Sequence, residues 1–370
     1  MAPFLPQSNR AALSKIIALG LLAWAGLIIG FAAAGGMAKA TPEQTFRLYL
    51  PSVRQGLIPS SYSVNPFQVP CPLGRLDGGK LVAARGTEVV LCDLQTGQRN
   101  VLSAQRNGEW KSGANIYGNL VVWVEGLDLG NSQTEYSIWS YDLNRGEEQR
   151  IPISPFARPY TFGVQTNGSV VVWSDLRNGW DNLDIYGLEL SSGEEFSIST
   201  AQGRQSVWDI SGNFLVFQDN RSGDWDIFAF DLSTRTEFAI AEGPTVQTGP
   251  RISGNIIVWA DEDRECCTFR YDVYGYYITS KRMFRIGRGA TPDISGQIVV
   301  WRSCEAEHGC NSIHGYDLAN DFDFSIMHGS SHIRHYAPAT DGRFVAWATK
   351  EEDYPVGREL GTFASLLIPQ

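Results

Sequence analysis

A short phrase recurs along this chain: a glycine turn, an apolar run ending in Trp, then an Asp-rich loop. Its clearest copy reads Gly254-Asn255-Ile256-Ile257-Val258-Trp259-Ala260-Asp261, with near-copies from Gly118, Gly168, Gly212, Gly296 and Gly342 and a weaker one from Gly79. These anchors stand 39, 50, 44, 42, 42 and 46 residues apart, a period that marks a repeat array. Around Gly212 each part of the unit is readable. Ser206–Ile210 alternates, Phe214–Phe217 is wholly apolar, Asp226–Asp231 alternates, and Glu237–Ile240 closes the unit. β-branched and aromatic residues fill these runs, and Gly, Asn, Asp and Ser fill the turns between them. Four antiparallel strands per repeat make one propeller blade. A blade has two apolar faces, and only stacked neighbours bury both, so the second strand is apolar throughout. The predicted fold is an all-β propeller of four-stranded antiparallel blades, seven in number, with six as the alternative. The last copy is short after Trp347 and lacks the Asp-Leu turn seen at Asp231-Leu232 and Asp317-Leu318. A strand from the other terminus is expected to complete it, with residues 46–50 as the candidate.

The first forty residues read as an export segment rather than fold. Arg10 and Lys15 precede an uncharged stretch over 16–38, and Ala38-Lys39-Ala40 fits a small-x-small cleavage site. The apolar run is also nearly long enough to span a bilayer, so residues 1–40 are a cleaved signal peptide or an uncleaved anchor. Either reading places the rest outside the cytoplasm, as a secreted, periplasmic or membrane-anchored protein. Residues 41–70 form a linker or tie-down segment interrupted by Pro51, Pro59, Pro66 and Pro70, and 71–370 form the propeller. Net charge is −10 and becomes −13 without residues 1–40. An acidic surface disfavours nucleic acid and anionic membranes, leaving membrane contact only through residues 16–36 if uncleaved. The six cysteines are an even count, which in an exported chain favours disulfides. Cys304 and Cys310 flank the loop carrying His308, Cys266 and Cys267 occupy the equivalent loop one repeat earlier, and Cys71 and Cys92 are the remaining pair.

The repeat resembles the TolB-like propeller family in a G-x-φ-φ-φ-[WF]-x-D-x-R-x-G…D-I-[YF]-x-x-D-L pattern, where φ is apolar. Gly212 to Phe217, Asp219, Arg221, Gly223, Asp226-Ile227-Phe228 and Asp231-Leu232 carry it, as do Gly168, Trp173, Asp175, Arg177, Gly179 and Asp184-Ile185-Tyr186. The copy after Trp259 departs from it at Asp261-Glu262-Asp263-Arg264, and the first copy has Ala84 in the Trp place. The resemblance covers about residues 71–350. It implies periplasmic accessory proteins that dock partners, non-catalytic propellers attached to peptidases, or lyases that use metal-bound histidines.

Candidate sites follow from where the copies differ. The series Trp123, Trp173, Trp259, Trp301 and Trp347, with Phe217, holds one strand position and is read as blade-to-blade packing. Asp175 with Arg177, Asp219 with Arg221, and Asp261 with Arg264 either staple tight turns or, with His308, form a binding face. Asp181 and Asp184, or Asp261 to Asp263, lack the ligand spacing of a dedicated calcium loop. All five histidines lie in one repeat, and His308, His328, His332 and His335 fall in loops that share one end of the ring. They are the candidate divalent-metal ligands, with Glu305, Glu307 and Asp341 near enough in sequence to complete a site. No G-x-S-x-G, H-E-x-x-H or P-loop is present. The expected function is a non-catalytic binding module for a protein or glycan partner, without a required cofactor. A metal-assisted enzyme such as a polysaccharide lyase and a purely structural surface protein are the alternatives.

Overall fold

The computed structural model describes residues 61–104, 109–130, 133–263, 270–305, 309–351 and 358–370. Every element among them is a β-strand, all paired antiparallel. Four sheets have four strands each, spanning residues 75–103, 109–151, 159–199 and 205–241. A five-stranded sheet joins residues 62–69 to residues 333–369, and these five sheets stand as discrete blades. Residues 247–327 instead form one seven-stranded sheet, because the strand Arg282–Ser295 runs unbroken. Its first half pairs with Arg270–Tyr277 and its second with Ile298–Glu305. The expected seven (or six) separate four-stranded blades are therefore not what the hydrogen bonding gives. The crossover that elsewhere breaks the ladder is here a continuation of it.

Within each repeat the strands follow one another across the sheet. The hairpin joining strands two and three and the crossover to the next repeat share one face, called here the loop face. The tight turns share the other, the turn face. On the turn face the recurring glycines adopt positive φ: 57° at Gly118, 55° at Gly212, 56° at Gly254 and 59° at Gly296. Space around Gly254 is open, so it is backbone conformation, not crowding, that demands glycine. In the first repeat the equivalent residue is Gly78, at 55°. This shifts the frame read from Gly79 by one and places Ala83, not Ala84, in the Trp position.

The Trp positions are interblade core. Trp123 packs with Val82, Val89 and Leu91 of the sheet before it, Trp173 with Val122 and Ile138, and Trp259 with Val216 and Ala229. Phe217, Trp301 and Trp347 repeat the arrangement. These side chains are buried to within a few per cent of complete exclusion. Deleting one such side chain costs about 3–5 kcal/mol.

The short last repeat is completed by strands from before the first repeat. Tyr62–Val64 and Phe67–Val69 both pair with Arg358–Pro369 in one register, Tyr62 opposite Pro369 and Phe67 opposite Ala364. They behave as one edge strand interrupted at Pro66, which has no N–H to give the ladder. At that break the Asn65 N–H donates to Ser365 Oγ at 2.9 Å. The closing strand is thus 62–69, inside the stretch read as linker. The proposed 46–50 lies outside the described residues, as do residues 1–40.

Candidate functional site

Three residues before each turn glycine the innermost strand presents a side chain toward the axis. The series is Arg75, Asn115, Gln165, Asp209, Arg251, Asp293 and Ala339. Each pairs opposite an apolar residue: Val82, Val122, Val172, Val216, Val258, Val300 and Ala346. A register shift precedes the axial residue in most of these strands. Two residues upstream of it, Gly113, Gly249, Thr291 and Ala337 all have positive φ. The bulge turns a polar side chain inward that strict alternation would send into the interblade core.

The charged members neutralise one another across the centre. Arg75 pairs with Asp209 and lies 3.9 Å from Asp293. Arg251 lies 3.4 Å from Asp293 and donates to the Trp208 carbonyl at 2.9 Å. Asp209 and Asp293 also accept the backbone N–H groups of Ile252 and Thr340, at 3.1 and 2.7 Å, and Asn115 donates to Gln165. Burial and the neighbouring Arg75 push Arg251 down to about 10. Burial opposes the charge on Arg75 too, but Asp209 and Asp293 outweigh it and raise its pKa. Burial raises Asp293 against the pull of both arginines. Two cations and two anions thus form a closed set, which fits a structural clasp.

The charged groups of the repeated Asp-x-Arg loops on the loop face are paired with one another. Asp175 accepts the N–H groups of Arg158 and Arg177, the Trp173 indole N–H at 2.7 Å and the Arg177 guanidinium at 2.8 Å. Arg177 also reaches Glu195 at 2.8 Å and stacks 3.7 Å from the Tyr186 ring centre. Asp219 repeats the pattern with Arg221, which pairs with Glu237 at 2.7 Å. Asp184, opposite Asp175, accepts from Asn178 and Asn182, and burial raises its pKa. Asp261 sits in the same strand position as Asp175, its pKa raised by burial despite bonds from Thr245 and Gln247. Arg264 lies outside the described residues.

Among the described residues, His328, His332 and His335 occupy different surroundings. His335 is buried in its strand, its Nδ1 2.9 Å from Thr349 Oγ1, and burial lowers its pKa. His328 lies exposed against Ser325 and edge-on to His314, and His332 is exposed. Asp341 is on the turn face, accepting the N–H groups of Gly79, Arg343 and Phe344. Among the described residues no three His, Cys, Asp or Glu side chains form a metal-holding group. A strand start places His335 in the core, while the crossover before it leaves His332 exposed. His308, Glu307, Cys266 and Cys267 lie outside the described residues. Disulfides join Cys71 to Cys92 and Cys304 to Cys310.

One surface was missed in the sequence. Leu129, Phe156 and Trp180 are exposed, Phe156 to 78%. All three stand on the loop face of the neighbouring sheets at 109–151 and 159–199. The Arg204 guanidinium lies 5.0 Å from the Trp180 ring, and Tyr160 meets that ring edge-on. Arg158, two residues after Phe156 in the same crossover, is exposed and has no ion pair among the described residues. The signal was faint: Trp180 is a Trp outside the repeat position, and Phe156 follows Pro155 in a crossover.

No protein-family model matches the chain, and no curated protein matches it. Solved structures do match. The chain is similar to an oligogalacturonate lyase in complex with manganese, with a TM-score of 0.56 and 11% identity over 83% of this chain and 97% of that one. It is similar to the β-propeller domain of the Trilobed protease from Pyrococcus furiosus, described as having an open velcro topology (TM-score 0.51, 13% identity, 69% and 84% covered). TolB from Acinetobacter baumannii also matches, at TM-score 0.47 and 14% identity over 67% of this chain and 64% of that one. The likeness is one of β-propeller fold.

Proposed function

We propose that this chain is an exported, non-catalytic binding module on a TolB-like propeller, with the loop face as its working surface. We read the seven-stranded sheet as two blades sharing the strand Arg282–Ser295, which brings the ring to seven. One observation carries the binding reading. The charged groups of the repeated loops are paired within their own sheets, while Leu129, Phe156, Trp180 and Arg158 are exposed on the same face. Large apolar side chains exposed together on one face mark interaction surfaces. Two disulfides support an oxidising compartment.

The reading is tested by incubating purified residues 41–370, loaded with manganese or calcium, with polygalacturonate. No release of product is expected, and sustained turnover would contradict the reading. The metal-assisted alternative through His308, His328, His332 and His335 is tested separately by metal analysis of protein prepared without chelators. A stoichiometric metal lost on His328→Ala would support that alternative.

A further inference from the structure

We propose that Leu129, Phe156, Trp180, Arg158 and Arg204 form a docking surface for an acidic polypeptide segment that carries apolar side chains. The inference rests on the binding-module reading and names the partner class.

The composition of the patch is that of an interface centre. Trp, Tyr and Arg dominate binding hot spots, and Phe is enriched at interfaces generally. Trp180 is held in place by Arg204 over its ring and Tyr160 at its edge, so little order is lost when a partner arrives. Among the described residues, every large apolar side chain exposed on the loop face stands on these two adjacent sheets. The others lie on outer strands or the turn face: Val101, Tyr117, Leu190 and Met283.

Charge selects the partner. The whole chain carries −10, yet Arg158 and Arg204 have no carboxylate partner among the described residues, and Asp181 is the acid beside Trp180. The Arg204 Nε is buried without a hydrogen-bond partner. Carboxylates of an incoming chain would pair with these guanidinium groups, and charge-assisted bonds to arginine are the strong ones. A second copy of this chain fits poorly, because a two-fold contact would set Arg158 and Arg204 against themselves. An anionic bilayer would repel the acidic body of the protein. A glycan would leave the protruding Phe156 and Leu129 without apolar counterparts, and one face of Trp180 is already covered by Arg204.

The test uses residues 41–370 immobilised through the C-terminus and a random glutamate–tyrosine copolymer as probe. Polyglutamate, phosphatidylglycerol vesicles and polygalacturonate serve as comparisons. Saturable binding of the copolymer is expected, with polyglutamate about ten-fold weaker. The Arg158→Glu/Arg204→Glu double variant should weaken copolymer binding at least about ten-fold. Phe156→Ser should weaken it about five-fold, and Leu190→Ser on the turn face should leave it unchanged. Melting curves establish that each variant is folded. No copolymer binding, binding indifferent to the patch variants, or preferential binding of vesicles or polygalacturonate through the same residues overturns the inference. Binding that instead depends on other loop-face positions overturns it while leaving the binding-module reading intact. Turnover of polygalacturonate removes that reading itself.

Discussion

Two arginine–tryptophan pairs in this molecule use one contact for different ends. At the axis, Arg251 lies 5.4 Å from the Trp208 ring; on the loop face, Arg204 lies 5.0 Å from the Trp180 ring. The axial arginine is hemmed in by Asp293 and Asp209 and bonded to a carbonyl. The loop-face arginine has no counter-charge among the described residues, and its tryptophan is 59% exposed. Cation–π geometry therefore does not distinguish scaffold from site. What distinguishes them is whether the charge is neutralised by the protein's own groups.

Breaking the axial set should give the largest effect. Arg75→Ala leaves Asp209 buried without its cation, and unfolding in urea should show a loss of about 3–5 kcal/mol. Replacing both partners, Arg75→Met with Asp209→Leu, should recover most of that loss, since the cost comes from the orphaned charge. If the single and double variants are equally unstable, the axial set is not a charge clasp.

Removing the Cys71–Cys92 bridge by a double serine substitution ranks next. It ties the first repeat to the segment that closes the last sheet, and about 2–4 kcal/mol should be lost. Reductant should produce a larger shift in wild type than in the variant, which keeps only the Cys304–Cys310 bridge.

A smaller effect concerns pH. Burial lowers the pKa of His335, so the folded state holds it neutral while the unfolded chain takes up a proton near pH 6.5. Its contribution is fully present above that pH and is lost as pH falls toward the folded value. The raised carboxyls Asp184 and Asp261 act in the opposite sense at lower pH, favouring the fold when protonated. Comparing wild type with His335→Gln cancels them. The wild type should lose stability faster below pH 6.5, and parallel curves would remove His335 from the account. At the small end, Phe156→Ser should change stability by no more than about 0.5 kcal/mol, because an exposed side chain has little packing to lose.

Much of the scaffold was legible because it repeats. The Gly-to-Trp phrase gave the turn, the buried second strand and the interblade aromatic, and the truncated last copy announced closure by the other terminus. The rest was hidden for physical reasons. The axial residues vary in type between copies, so no motif marks them. In four strands the bulge takes a positive φ, which glycine supplies at Gly113 and Gly249 but Thr291 and Ala337 adopt without one, and the bulge before Asp209 forms without it. The unbroken strand Arg282–Ser295 looks in sequence like two strands with a crossover. The histidines stood out by clustering in sequence, yet a strand start buries His335 and the crossover before it leaves His332 exposed. The exposed patch joins residues from separate loops, and only the folded arrangement places their sheets side by side.

The contrast between the two arginine–tryptophan pairs is tested most directly by measuring Arg251→Ala and Arg204→Ala side by side for melting temperature and copolymer binding. Arg251→Ala should lower the melting temperature by several degrees, with binding retained below the transition. Arg204→Ala should leave melting unchanged and weaken binding several-fold. Equal destabilisation by the two substitutions, or unchanged binding by Arg204→Ala, would contradict the distinction between them.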